Sequence, residues 1–168
     1  MITRKKIILT IILTISIILT GCSIANTPTA KVEDLLSDYQ KLEDNIAINY
    51  SDLAIDDDLS LDLQNEYNDL IKDQYQGISY EIKEEIIDGD TATVTTSIKV
   101  KDYKEIINKY NKNDYQKDKY HEIIIDDLKD AKNMVTYTID FTLTKDNEDN
   151  WQLDDLTNEM EEKLLGIN

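Results

Sequence analysis

The sequence predicts an α+β domain, a four-stranded antiparallel sheet covered on one face by helices. Three observations carry that expectation. Apolar residues recur at helical spacing ahead of residue 77. An Asp88-Gly89 turn then separates two runs of period two, and a second pair of such runs follows another helical stretch.

The first helix starts at Thr27-Pro28, a threonine N-cap with proline at the first helical position, where its missing N–H loses nothing. Val32, Leu35, Leu36, Tyr39, Leu42 and Ile46 then share one face. A weaker run through Ile46, Ile48, Leu53 and Ile55 suggests a short helix that Asp56-Asp57-Asp58 ends. Ser60 caps the next helix, with Leu63, Tyr67, Leu70 and Ile71 inward, Tyr75 near its end and Gly77 as its stop. Ile78, Tyr80, Ile82 and Ile86 share one strand parity. Beyond the hairpin turn, Ala92, Val94, Ile98 and Val100 face in, while Thr91, Thr93, Thr95, Ser97, Lys99 and Lys101 face out. One face of this sheet is buried and the other wet.

Tyr103, Ile106, Ile107 and Tyr110 open a further helix, which Asn111 to Asp114 interrupts. Tyr120, Ile123, Ile124, Leu128 and Ala131 resume the helical spacing. Val135, Tyr137, Ile139, Phe141 and Leu143 line one face of a third strand. Trp151 and Leu153 mark a short fourth strand after the polar loop 146–150. Thr157 caps a last helix through Met160 and Leu164, with Gly166 just past it.

Ahead of this domain, Arg4, Lys5 and Lys6 precede an apolar run from Ile7 to Leu19 that ends in Leu19-Thr20-Gly21-Cys22. The run is shorter than the roughly 20 residues of a spanning helix. Leucine three positions before cysteine, with two small residues between, is the pattern of bacterial lipoproteins, which this segment resembles. The resemblance implies cleavage after Gly21 and diacylation of Cys22 as the new N-terminus. The expected organisation is a lipoprotein signal peptide at 1–21, a short lipidated tether at 22–26 and a single α+β domain at 27–168. Lipid on Cys22 would hold that domain on the extracytoplasmic face of the cell membrane. So few residues, at about 3.3–3.6 Å each, keep the domain close to the headgroups.

The whole chain has 18 Lys+Arg against 35 Asp+Glu. Removing the three basic residues of the leader takes the formal charge from −17 to −20. Phosphate backbones and anionic headgroups repel such a surface, so nucleic acid is excluded as a partner. Cys22 is the sole cysteine. With it lipidated, disulfides, thiol nucleophiles and cysteine metal clusters drop out.

Three stretches carry a wider likeness: Ile87-Asp88-Gly89-Asp90-Thr91-Ala92-Thr93-Val94, then Val135-Thr136-Tyr137-Thr138-Ile139, then Trp151-Gln152-Leu153-Asp154-Asp155-Leu156. They resemble uncharacterised small lipoproteins of Gram-positive bacteria with a nuclear transport factor 2-like domain. That resemblance, over residues 27–157, implies a cone of helices against a curved sheet. The helical insertion 103–134 is an addition to the minimal fold. The superfamily holds isomerases, dehydratases and non-catalytic binding modules, and no catalytic residue of those enzymes matches a position here.

Candidate sites are few. The one histidine, His121, sits among charged residues and reads as a surface helix position. A Ser-His or Cys-His nucleophile system and a typical zinc site are therefore not expected. Asp140 has outward strand parity. Asp56-Asp57-Asp58, Asp126-Asp127 with Asp130, and Asp146-x-Glu148-x-Asn150 all lack the spacing of a calcium loop, the last having Trp151 where glycine belongs. No metal or cofactor is expected. Of the ten tyrosines, Tyr39, Tyr67 and Tyr80, with Tyr137 and Trp151, fall on inward positions. They read either as core with hydroxyls reaching its edge or as the lining of a pocket for a small amphipathic ligand. The functional expectation is a non-catalytic module for a small ligand or an envelope protein. Its alternative is an isomerase- or hydratase-type enzyme using pocket carboxylates, which requires an acid in an apolar pocket.

Overall fold

The computed structural model describes residues 26–53 and 58–168. The expected signal peptide, the Leu19-Thr20-Gly21-Cys22 motif, most of the expected tether, Ile55 and Asp56-Asp57 lie outside the described residues. Among those described, no helix is long and apolar enough to cross a membrane.

The architecture is α+β. Helices α1 (Pro28–Lys41) and α2 (Leu61–Gln76) precede strands β1 (Ser79–Asp88) and β2 (Thr91–Lys101). Helices α3 (Tyr103–Lys109) and α4 (Lys117–Lys129) follow, then β3 (Met134–Lys145), β4 (Trp151–Leu153) and α5 (Asn158–Leu165). The four strands form one antiparallel meander in chain order. Helices α1 and α5 pack on its inner face, and α2 packs over both and against α4.

Local signals act where expected. Thr27 accepts the Ala30 N–H at 3.2 Å with Pro28 at the first position, Ser60 accepts that of Leu63, and Thr157 that of Met160. Along β2, Ala92, Val94, Ile98 and Val100 are buried. On the outer face Thr95 Oγ1 donates to Asp140 Oδ1 at 2.7 Å, leaving Asp140 exposed as its parity predicts.

Three readings are corrected. The first helix stops at Lys41: Leu42 turns left-handed at φ 54°, and the N–H groups of Leu42 and Glu43 close back on Tyr39 and Asp38. Ile46 therefore leaves the helix. The weak second helix is a single 3₁₀ turn, Tyr50–Leu53. In β1 the register shifts between Ile82 and Glu84, so the parity reverses beyond the bulge. Ile86 consequently faces out, 54 % exposed, while Glu85 swings to the inner side. There its carboxylate accepts the Thr29 N–H at 2.9 Å and the Thr29 hydroxyl at 2.7 Å, completing the first turn of α1.

Two buried polar residues shape the core. Gln74 Nε2 donates to the carbonyls of Lys101 (2.8 Å) and Leu165 (2.7 Å), and its Oε1 accepts the Lys101 N–H at 3.1 Å. One side chain thus ties α2 to the ends of β2 and α5. Gly166 follows at φ 72°, where a Cβ would strike the Lys101 carbonyl. Thr96 sits inward opposite Ile139, and its Oγ1 has no partner among the described residues.

A candidate ligand pocket

A cavity of about 520 Å³ opens beside the helical layer, within the usual range for small-molecule sites. Four helical elements and the segment after α1 build it. The last turn of α1 supplies Tyr39, the last turn of α2 supplies Tyr75, the 3₁₀ turn supplies Asp52, and α5 supplies Glu161, Glu162 and Leu165. The early end of α1 matters here, because it frees the following segment to place Ile46 and Ala47 on the wall.

Tyr39 and Tyr75 meet at the floor, ring centroids 4.6 Å apart and planes tilted by 55°. Tyr75 is only 5 % exposed, yet its hydroxyl makes no hydrogen bond among the described residues. Burial, then Glu161 and Asp52, push the Tyr39 phenol up to about 12. Burial, then Tyr39, Asp52 and Glu161, push Tyr75 up further. Both hydroxyls remain protonated and face acidic groups. Partial burial also pushes the Asp52 carboxyl above its ordinary range.

A second cavity, about 550 Å³, lies between α3 and α4. Several of its polar groups pair with one another. Lys109 and Tyr110 converge on Asp127 at 2.8 and 2.5 Å, and Asn133 donates to Glu105 at 2.7 Å. The Asp127 pair holds its carboxyl below and the Lys109 ammonium above their ordinary ranges.

Of the five aromatic residues singled out from sequence, Tyr39 alone reaches either cavity. Tyr67 is buried and bonded to His121. Tyr80 is half-buried on the inner face of β1. Tyr137 donates to the Asn168 carbonyl at 3.1 Å, and Trp151 is buried with Lys145 Nζ 5.2 Å from its ring centre. His121 is a correction: it is 2 % exposed, with Nδ1 2.9 Å from the Tyr67 hydroxyl. Tyr75, Asp52 and Glu161 were missed. Tyr75 alone carried a signal, lying four residues beyond Ile71 on the inward stripe of α2.

The acidic runs do not assemble. Asp146 spends its carboxylate on the N–H groups of Asn150 and Glu148, which holds it below its ordinary range. Among the described residues no group of three or more His, Cys, Asp or Glu is arranged to hold a metal ion. Comparison with known proteins finds no matching family model, no matching curated protein and no matching solved structure.

Proposed function

We propose that this chain is a lipid-anchored, extracytoplasmic ligand-binding module whose site is the Tyr39–Tyr75 cavity. The observation that carries the reading is a preformed cavity floored by a tyrosine pair, one member almost fully buried with its hydroxyl unused. A buried Tyr hydroxyl ordinarily finds a partner. Here the opening leaves that role to an occupant. The enzymatic alternative needs a buried acid beside the cavity, and among the described residues the buried polar side chains are Gln74, Thr96 and His121. The binding reading is accordingly the better supported.

The anchoring half rests on the basic start, the short apolar run and Leu19-Thr20-Gly21-Cys22. The likeness to Gram-positive lipoproteins with a nuclear transport factor 2-like cone belongs to the same proposal. It is supported by a four-stranded sheet with helices on one face. Asn26 adds an orientation. Its amide donates to the Asp149 carbonyl at 3.1 Å and its Oδ1 accepts the Trp151 N–H at 2.9 Å, fastening the end of the tether to the β3–β4 loop. From Thr27 to Tyr39 is about 18 Å along the helix axis at 1.5 Å per residue. The β3–β4 loop then lies toward the membrane and the cavity at the far end of α1.

Native mass spectrometry of the whole protein, released from non-ionic detergent, tests the binding half. The expected result is an added mass lost on denaturation and lost in Ala47→Trp, which fills the mouth from an exposed position. A bare mass, or an adduct that survives Ala47→Trp, overturns the assignment. Cell fractionation tests the anchor: Cys22→Ser should be released from the membrane, and retention would show that lipid is not what holds it.

A further inference from the structure

We infer that the Tyr39–Tyr75 cavity recognises an organic ammonium group, a primary or quaternary amine carried on a small apolar body. The inference deepens the binding reading above and rests on it. The charge is one-sided. Asp52, Glu161 and Glu162 border the cavity, and among the described residues no lysine or arginine lines it. Neither Asp52 nor Glu161 forms an ion pair among the described residues. Both bear on the hydroxyls of Tyr39 and Tyr75, where they add to the upward shift that burial chiefly causes.

The floor selects the kind of cation. Tyr39 and Tyr75 line the cavity with ring centroids 4.6 Å apart, and the negative face of a tyrosine ring attracts a cation, weakly hydrated ammonium groups most because they shed water easily. A calcium ion would need six to eight oxygen ligands. Ile46, Leu165 and Ile167 instead place hydrocarbon on the walls. The unused hydroxyl of Tyr75, a residue only 5 % exposed, accepts a hydrogen bond from a primary ammonium or packs its oxygen against a quaternary one.

Calorimetric titration of the whole protein in non-ionic detergent uses choline, butylammonium, and the alcohol in which carbon replaces the choline nitrogen. At least one ammonium probe should bind saturably, with the uncharged alcohol weaker by roughly tenfold or more. Glu161→Gln, an exposed change, should weaken ammonium binding roughly fivefold and leave the urea midpoint in place. Equal binding of the alcohol, or indifference to Glu161→Gln, overturns the ammonium class while the cavity remains a site. Saturation by Ca²⁺ or K⁺ in competition with choline overturns it too. No binding of any probe, with the native adduct still lost in Ala47→Trp, removes the ammonium class alone. No binding and no adduct removes both.

Discussion

Gln74→Met should loosen the whole helical layer from the sheet, because three hydrogen bonds depend on that one amide. Methionine matches glutamine in length and keeps the volume filled, so no cavity term enters. What is lost are the bonds to the Lys101 and Leu165 carbonyls at 2.8 and 2.7 Å and from the Lys101 N–H at 3.1 Å. The site is 1 % exposed, so water does not replace them. At about 1 kcal/mol each the loss is roughly 3 kcal/mol, and the more apolar side chain returns about 1 kcal/mol. A net loss of about 2 kcal/mol lowers the melting temperature of a domain of this size by roughly 6–8 °C. Urea unfolding followed by the buried Trp151 gives the midpoint, with the slope unchanged. Hydrogen exchange should accelerate first in α5, whose final carbonyls lose their tie. A loss well under about 1 kcal/mol, or a loss with α5 protection intact, refutes the staple. The same variant should weaken any ligand of the cavity, since α5 carries Glu161, Glu162 and Leu165.

Thr96→Val replaces a buried hydroxyl that has no partner among the described residues by a methyl group of the same shape, and should stabilise the domain by about 1 kcal/mol in the same urea assay. Raising the pH should destabilise the fold in a defined window. Tyr39 rises from 10.0 to about 12 and Tyr75 and Tyr103 rise further, all chiefly by burial, so the folded state holds their protons longer than the unfolded chain does. Their contribution is therefore complete below pH 10.0 and is lost as pH climbs through about 12. Tyrosinate absorbance should show these three titrating after the exposed tyrosines, and a single unresolved step near the ordinary value would contradict the burial.

The elements were legible because their signals are local. Thr27, Ser60 and Thr157 cap helices through bonds to residues three positions on, and the parity of β2 follows from its own side chains. The departures are places where a distant residue decides. Nothing near Ile82 announces the bulge, whose consequence is to bring Glu85 to the start of α1, 56 residues back in the chain. His121 looked solvated among Tyr120 and Glu122, yet α4 is rotated so that His121, Ile124, Ile125 and Leu128 form its buried stripe. What makes that tolerable is the Tyr67 hydroxyl, 54 residues away.

The candidate pocket lies at the far end of the same scale. Sequence reading searched for acids at ligand spacing within one run, and every such run proved to be solvated, self-satisfied or outside the described residues. The acids that do gather, Asp52 and Glu161, come from separate elements and meet because α1 ends early and α5 is held by Gln74. Tyr75 followed an ordinary helical stripe, and its position alone gave no reason to separate it from Tyr67. The difference is what covers each ring. Tyr67 is closed over by α4 and has His121 for its hydroxyl, whereas beyond Tyr75 the chain leaves a gap bordered by carboxylates. A core tyrosine and a cavity-lining tyrosine are thus the same residue in the same pattern, distinguished only by whether the fold supplies the hydroxyl with a partner.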